Sequence, residues 1–304
     1  MSFRTYAQVT GGDTSGLAEQ VGRQRARVTE RLRDVKRVVA VISGKGGVGK
    51  SWVTGALTRE LARLDFSIGV VDADLQSPTI ARMLEAKGPL VVGDDDVQPA
   101  RGVADVRVMS MDLLLDEERP LRWASDPGES HAWRSVAENG ALREFLSDVR
   151  WGALDVLFVD MPPDAQRLAD LTMLVPDLAG AITVTIPSLE SRRSVARAIR
   201  VARDLDVRLL GIVENMSGYA CAACSDVRPL FNGDAGASLA KEFDVPLLAT
   251  IPFSPSPSDA VDAEVRELAS KVAGTLNLTA PIHDAATQRV AASSIQPQAL
   301  GPKP

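Results

Sequence analysis

A glycine-rich segment near the start of the chain has the residue types and spacing of a phosphate-binding loop. The stretch Val38–Ser51 reads VVAVISGKGGVGKS, which contains the pattern G-x-x-x-x-G-K-[ST]. Glycines let successive backbone N–H groups turn toward an anion, Lys50 is expected to reach the β- and γ-phosphates, and Ser51 Oγ is expected to hold Mg²⁺. A turn that binds nothing is the alternative, but the apolar run before the loop and the amphipathic helix after it favour nucleotide binding. The predicted binding residues are Gly44, Lys45, Gly46, Gly47, Val48, Gly49, Lys50, Ser51 and Trp52.

Carboxylates follow two further apolar runs of the sequence. Asp72 and Asp74 come after the second predicted strand and Asp160 after the third. Ligands collect at the carboxyl ends of parallel strands, and an acid after an apolar strand is typical of a residue that holds Mg²⁺. Capping of a helix is the alternative role for each acid. We expect Asp160 and Asp72 to serve the metal and Asp74 to position the water that attacks the γ-phosphate.

The segments that must position these residues alternate between buried strands and helices. This alternation predicts an α/β fold with a doubly wound, mostly parallel sheet. After the first strand and the loop, the predicted strands are Ser67–Ala73, Val106–Met111, Asp155–Met161, Ala181–Ile186, Leu209–Asn215 and Pro246–Ile251. The predicted helices are Thr14–Val35, Gly49–Leu64, Ser77–Leu84, Glu138–Val149, Leu189–Leu205, Ala235–Phe243 and Ala260–Leu276. We expect an N-terminal polar segment and helix over 1–36, one ATPase domain over 37–278, and a disordered tail over 279–304.

Composition narrows the functional class. A net charge of −6 over 304 residues argues against a protein that wraps nucleic acid, so no nucleic-acid partner is expected. No apolar run approaches the roughly 18 residues that span a bilayer, which predicts no stable membrane insertion. Two cysteines in one C-x-x-C are not a disulfide framework. These features predict a cytoplasmic protein.

Three charged or amphipathic features have both a structural and a functional interpretation. The helix at Thr14–Val35 is expected to lie on the domain surface, and docking of a partner is the alternative. Asp94–Asp96 is expected to be a solvated loop rather than a metal site. A row of arginines on the helix Leu189–Leu205 is expected to face solvent rather than a partner or nucleic acid. The row consists of Arg192, Arg193, Arg197, Arg200 and Arg203.

The C-x-x-C lies in a predicted loop over 217–232. Cys221 and Cys224 place two thiolates close enough to share one metal ion or cluster. A [4Fe–4S] cluster takes four cysteines, and two identical loops related by a two-fold axis would supply them. The same sulfurs could hold zinc instead, or the pair could be inert. A redox dithiol is a further alternative, although the thioredoxin-like unit it usually needs is missing.

The loop also carries a second lysine, Lys45, and the form GKGGVGK is that of the deviant phosphate loops of MinD/ParA-like ATPases. Across Val38–Ile251 the chain resembles the Mrp/ApbC branch of that class, the iron–sulfur cluster carrier ATPases. The segments that carry the resemblance are VISGKGGVGKS, VVDADLQSPTI, WRSVAENGALREFLSDVRWGALDVLFVDMPP, GIVENMSGYACAAC and PLLATIP.

This resemblance implies a homodimeric, ATP-hydrolysing carrier that delivers clusters to recipient iron–sulfur apoproteins. Lys45 would cross the dimer interface to the partner's nucleotide, and Asn215 would contact the adenine. Asp72 and Asp74 would belong to the first switch segment. Cys221 and Cys224 of both chains would hold the [4Fe–4S] cluster. The implied roles of Lys50, Ser51 and Asp160 match those predicted from the residues themselves.

Three positions depart from the family pattern. Asp164 and Ala165 stand where relatives have glycine and threonine in the second switch, and a carboxylate there would be repelled by the γ-phosphate. Trp52 replaces a small hydroxyl residue. Slow hydrolysis is therefore expected, and two alternative functions remain open. One is a MinD/ParA-like partitioning switch without a cluster, and the other is a regulator that binds nucleotide without turning it over.

Overall fold

A central sheet organises the chain, and the first predicted strand lies in its middle. The computed structural model describes residues 17–87, 90–93, 96–114, 140–221 and 226–279. The helices are α1 (Leu17–Arg31), α2 (Lys50–Arg63), α3 (Ile80–Met83), α4 (Arg167–Leu174), α5 (Leu189–Asp204), α6 (Ala235–Phe243) and α7 (Asp259–Thr275), and residues 140–147 are also helical. The strands are β1 (Val38–Ser43), β2 (Ile68–Asp72), β3 (Val91–Val92), β4 (Val97–Gln98), β5 (Ala100–Arg101), β6 (Arg107–Met109), β7 (Val156–Asp160), β8 (Gly180–Thr185), β9 (Leu209–Ala220), β10 (Val227–Pro229) and β11 (Leu247–Phe253).

The strand order is that of a doubly wound sheet, as predicted. It runs β10-β9-β8-β1-β7-β2-β6-β5, and β11 pairs with β9. The pairs that join β11, β9, β8, β1, β7, β2 and β6 are all parallel, whereas β5 and β10 add antiparallel edges. Because strands β1, β7, β2 and β8 are parallel neighbours, their carboxyl ends meet at one edge, where the loop and Asp160 lie.

The core lies on both faces of this sheet, which explains why the strand sequences are apolar almost throughout. In β1 every residue is buried, and alternate side chains enter opposite clusters. Val39 and Val41 pack with α2 and α7 on one face. Ala40 and Ile42 pack on the other face with Val28 of α1 and with residues from 140–147, α4 and α5.

Helix α1 lies on the surface, as predicted. Val28 is fully buried in the second cluster, and three arginines hold the helix down at its polar side. Arg25 Nε donates to the carbonyl of Met173 at the end of α4, Arg27 pairs with Asp148, and Arg31 Nε donates to the carbonyl of Ser147 at 2.9 Å. Within the described ranges, no helix has both the length and the apolar character that crossing a bilayer requires.

The predicted loop around the first cysteine is partly wrong. Strand β9 continues through Ser217 to Ala220, where β10 and β11 pair with it on either side. Tyr219 lies opposite Phe253, and Ala220 lies opposite Val227. The described part of the segment therefore forms a β-hairpin, because β10, seven residues later, and β11, more distant in the sequence, supply its backbone partners.

The acidic stretch also differs from the expectation of a solvated loop. Asp96 accepts a bond from Arg150 Nε at 2.7 Å, lies 3.8 Å from Arg31 Nη1 and is 11% exposed at its side chain. Short strands β3, β4 and β5 lie where a loop was predicted between Gly88 and Val103. Asp94 and Asp95, the first 16 residues and the tail from 280 onward lie outside the described residues.

Candidate functional site

The loop after β1 has the backbone that a phosphate cradle needs. Gly47 and Gly49 have φ values of 77° and 78°, in the left-handed region that favours glycine. Gly44 is required for a different reason: a Cβ there would lie 2.2 Å from the carbonyl carbon of Ser194 in α5. Helix α2 begins at Lys50, so its N-terminal N–H groups and its positive dipole end point into the loop.

Three side chains of α2 donate hydrogen bonds to Asp160. Its Oδ2 accepts bonds from Lys50 Nζ at 2.7 Å and from Ser51 Oγ at 2.6 Å, and its Oδ1 accepts a bond from Thr54 Oγ1 at 2.7 Å. Asp160 is fully buried and Lys50 is only 6% exposed, so this is a buried ion pair. The lysine that is predicted to bind phosphate is neutralised by a carboxylate at the end of the neighbouring strand.

Asp72 lies directly beside Asp160 in the register of β2 and β7. Its Oδ2 accepts bonds from the N–H groups of Thr79 and Ile80 at 2.9 and 3.1 Å and from Ser110 Oγ at 3.1 Å. Burial, reinforced by the charge of Asp160, raises the pKa of Asp72 to about 7. Because Asp72 accepts bonds from two backbone N–H groups at the start of α3, it caps that helix, which was the alternative role. It also lies next to Asp160, the carboxylate that is predicted to hold the metal ion.

The oxygens at this edge fit a hard divalent cation. Ser51 Oγ and the two neighbouring carboxylates of Asp160 and Asp72 are the oxygen donors that Mg²⁺ prefers. A bound dication would stabilise the charged form of Asp72, whose pKa is raised to about 7 by burial and by the charge of Asp160. Such an ion would neutralise charge that develops on phosphate oxygens.

Asp74 lies in the first of two segments that border a cavity of about 290 Å³. This first switch segment, 73–77, follows β2, and the second switch segment, 161–164, follows β7. Asp74 Oδ1 accepts a bond from the Ser77 N–H at 3.3 Å. Asp164 is exposed, and its Oδ1 accepts a bond from the Gln166 N–H at 3.0 Å, in the turn before α4. Both predicted switch carboxylates therefore lie at the same cavity.

Asn215 contacts the phosphate loop directly. Its Nδ2 donates to the carbonyl of Val48 at 3.0 Å, and the residue is 4% exposed. The amide therefore holds the loop conformation. Its contact with adenine stays a prediction.

The outer side of the loop is open. Lys45 is half-buried, Gly46 is exposed, and the Trp52 side chain is 37% exposed. Ser43 Oγ donates to the Lys45 carbonyl at 3.0 Å and fixes the backbone there. This leaves Lys45 and Trp52 at the surface beside the loop, where a second molecule can reach them.

Replacing Gly49 with alanine should disrupt this loop. A Cβ there would lie 2.2 Å from Asn215 Nδ2, and the left-handed backbone adds about 1–2 kcal/mol of strain. We expect a loss of at least about 2 kcal/mol in the free energy of unfolding and weaker nucleotide binding. In an Asn215→Ala background the clash is removed and only the backbone strain remains, so the penalty should shrink. Urea unfolding of wild type, Gly49→Ala, Asn215→Ala and the double variant measures the penalty in each background. An equal penalty in both backgrounds would contradict the contact between Gly49 and Asn215.

Three site residues were not predicted from the sequence. Thr54 lies four residues after Lys50, so both side chains are on one face of α2. A hydroxyl group on this otherwise apolar helix face could have indicated its role from the sequence. Ser110 follows β6 and reaches Asp72 only through sheet pairing. Glu214 accepts a bond from the Gly236 N–H at the start of α6, and burial raises the pKa of its carboxyl.

Cys221 lies at the end of the β9–β10 hairpin. Its N–H donates to the Asp226 carbonyl at 2.9 Å and continues the ladder beyond Ala220, and the residue is half-buried. Cys224 lies outside the described residues. The hairpin therefore presents one of the two predicted thiol ligands at a defined point of the sheet.

Comparison with known proteins places most of the chain in the class of proteins that its sequence motifs resemble. Residues 34–287 match the family described as ParA: NUBPL iron-transfer P-loop NTPase. An iron–sulfur cluster carrier protein of Saccharolobus solfataricus is 35% identical over 254 residues, which are 83% of this chain and 82% of the relative. The cytosolic Fe–S cluster assembly factor CFD1 of Eremothecium gossypii is 37% identical over 246 residues, which are 77% of this chain and 84% of the relative.

Solved structures agree on the fold. A nucleotide-binding protein from Archaeoglobus fulgidus, determined in complex with ADP, has a TM-score of 0.61 and 28% identity, covering 84% of this chain and 97% of that one. The septum site-determining protein MinD of Pyrococcus horikoshii, complexed with Mg-ADP, has a TM-score of 0.52 at 20% identity over 78% of this chain and 95% of that one, a likeness of fold alone. The resemblance drawn from the motifs is thereby confirmed. The chain belongs to the ParA-type family of NUBPL-like iron-transfer P-loop NTPases.

Proposed function

We propose that this protein binds and hydrolyses ATP and carries an iron–sulfur cluster, as a homodimer that delivers the cluster to recipient apoproteins. The observation that carries the proposal is that one strand, β9, joins the phosphate loop to the cysteine hairpin. Asn215 and Cys221 both belong to this continuous stretch, the first bonded to the loop and the second at the hairpin. The relatives named as cluster carriers and cytosolic assembly factors support the same function and a cytosolic location.

On the nucleotide side, the buried pair of Lys50 and Asp160 is the resting state of the site. Phosphates in the loop would compete with Asp160 for Lys50 Nζ, and Asp160 and Ser51 Oγ are the residues that would hold Mg²⁺. Asp74 is the residue proposed to position the attacking water, because it follows the adjacent strand and borders the cavity between the switch segments. Lys45 is proposed to reach the partner's nucleotide from the exposed side of the loop.

The link through β9 is short and contains a strained residue. Met216 follows Asn215 with a φ of 53°, and the pairing with β11 shifts register between Ile251 and Phe253. A non-glycine residue in the left-handed region is uncommon and lies here between the loop contact and the hairpin. A nucleotide that moves the loop would therefore act on β9, the strand that leads to Cys221.

On the cluster side, one chain supplies at most two thiolates. A [4Fe–4S] cluster needs four, which a two-fold dimer provides from Cys221 and Cys224 of each copy. Zinc in the same four sulfurs is the competing cargo. The cluster is what the protein transports, so its presence in the purified protein depends on supply and not on folding alone.

Anaerobic reconstitution tests the proposal. The protein is incubated with iron, sulfide and thiol, desalted, and assayed for iron, labile sulfide and zinc. Wild type should bind about four iron atoms per dimer with a broad visible absorption, and Cys221→Ala should bind almost none. Arg228→Ala changes an exposed side chain of the same hairpin but keeps both thiols, so it should load like wild type. Equal iron in wild type and Cys221→Ala, or zinc in place of iron, would overturn the cluster assignment.

A further inference from the structure

The arginine row of α5 divides into two faces. Arg192 and Arg200 both pair with Glu242 of α6, at 3.1 Å each. The guanidinium groups of Arg200 and Arg203 also lie over the Phe243 ring, 5.5 and 5.2 Å from its centroid. These three arginines keep part of their side chains in solvent, as predicted, and they also hold α6 against α5.

The other two arginines remain at the surface beside the phosphate loop. Arg193 and Arg197 are four residues apart, so they share a helix face, and both are exposed. Within the described ranges, neither forms an ion pair with a carboxylate of this chain. Arg197 Nη2 lies 3.5 Å from Ser194 Oγ, and the Ser194 backbone packs against Gly44, next to Lys45. We name these two residues the α5 arginine pair; Glu190, in the first turn of α5, is a nearby acid.

The cavity between the switch segments has the complementary charge. Among the described residues that border it are three carboxylates, Asp74, Asp164 and Asp170, and one cation, Arg167, which lies 3.4 Å from Asp170 Oδ2. Within that part of the chain the carboxylates outnumber the cation by two. Its other lining residues are mostly apolar, among them Leu75, Leu142, Met161 and Pro162, together with the polar Gln76 and Ser77. An arginine side chain has an apolar stem and a planar cationic end, and it matches such a pocket better than a small cation does.

The strand order places these two features on opposite sides of the loop. Helix α5 follows β8 on one side of β1, whereas Asp164 follows β7 and Asp74 follows β2 on the other side. A surface that is positive on one side and negative on the other is complementary to itself after a two-fold rotation. Each arginine pair would then meet the cavity of the other copy.

We propose that the cavity between the switch segments receives an arginine of the α5 pair from a second copy of this chain. The proposal rests on the dimer of the proposed function and adds a specific contact to it. It also gives Asp164 a role: the partner's Arg193 or Arg197 neutralises a carboxylate that would otherwise repel the γ-phosphate. The second switch would thereby be completed across the interface.

Charge reversal on both sides tests this contact. One variant carries Arg193→Glu and Arg197→Glu, and the other carries Asp164→Arg. Sedimentation equilibrium with Mg²⁺ and a non-hydrolysable ATP analogue should show that each variant alone dimerises at least about tenfold more weakly than wild type. An equal mixture of the two should recover dimers, because every reversed contact then meets its complement. Arg208→Glu, an exposed reversal at the opposite edge of the sheet, should dimerise like wild type.

The outcomes separate this contact from the proposed function. If both variants dimerise as tightly as wild type, or if mixing restores nothing, the arginine–cavity contact is wrong while cluster loading of wild type is unaffected. If mixing restores dimers but wild type binds no iron, the contact stands and the cluster proposal falls. If wild type stays monomeric with nucleotide and iron supplied, both fall together.

Discussion

Replacing Lys50 with alanine should reduce the proposed ATP hydrolysis by at least about a hundredfold, because this lysine is the cation proposed to contact the transferred phosphoryl group. The same change should lower the free energy of unfolding of the nucleotide-free protein by about 3–5 kcal/mol, because it leaves the fully buried carboxylate of Asp160 without its ion-pair partner. Here the effect follows from the 2.7 Å contact between Lys50 Nζ and Asp160 Oδ2.

Steady-state phosphate release and urea unfolding measure the two effects. Lys87→Ala removes an exposed lysine and is the matched control, expected to change neither. Lys50→Met keeps the volume of the side chain without its charge, and it should be as inactive as alanine. Turnover by Lys50→Ala close to that of wild type would refute the role of this lysine. If wild type itself hydrolyses ATP no faster than Lys50→Ala, the result would instead favour a regulator that binds nucleotide without hydrolysing it.

Replacing Asp72 with asparagine should remove a pH dependence of folding. Burial and the charge of Asp160 raise the pKa of Asp72 from 3.8 to about 7, so the folded protein keeps this proton up to near neutrality while the unfolded chain loses it near pH 4. The folded state then binds more protons between those values, and stability decreases as pH rises through that window. Above pH 7 the full cost, about 4 kcal/mol at most, is present. Asparagine avoids this cost and still offers an acceptor to the amides of Thr79 and Ile80.

The expected result is that Asp72→Asn unfolds at higher urea than wild type at pH 8 and that this difference is much smaller at pH 4.5. Asp177→Asn, at an exposed position, should not alter the pH profile. Mg²⁺ with ADP should reduce the difference at pH 8, because a bound dication stabilises the charged form of Asp72. A parallel pH dependence in wild type and Asp72→Asn would show that the two neighbouring carboxylates do not repel each other as described.

The elements whose partners are local were the ones that sequence could predict. Strand β1, the loop and the start of α2 are specified by an apolar run, by glycines at left-handed positions and by a helix-forming segment, all within neighbouring residues. The position of Asp160 beside the loop could be predicted because the carboxyl ends of neighbouring parallel strands meet at one edge of the sheet. Its role in holding Mg²⁺ stays a prediction. The predicted hydroxyl ligand, Ser51, indeed lies 2.6 Å from Asp160.

The features that sequence did not reveal depend on distant partners. Strand β9 extends beyond Asn215 only because β10 and β11 pair with its last residues. The local sequence gives Thr54 no special role, and only the fold brings its Oγ1 to 2.7 Å from Asp160 Oδ1 at the end of β7. The arginines of α5 were indistinguishable in the sequence, and only the packing of α6 separates the bound face from the free one. In each case a long-range contact decides the role of a residue whose local pattern is neutral.

The central claim is that two copies of this chain share one cluster through the hairpins that end β9. Native mass spectrometry of the protein, reconstituted and sprayed without air, tests it most directly. The account predicts one species of two chains plus one [4Fe–4S] cluster, which Cys221→Ala fails to form. Single chains without iron, or dimers whose added mass corresponds to zinc, would contradict it.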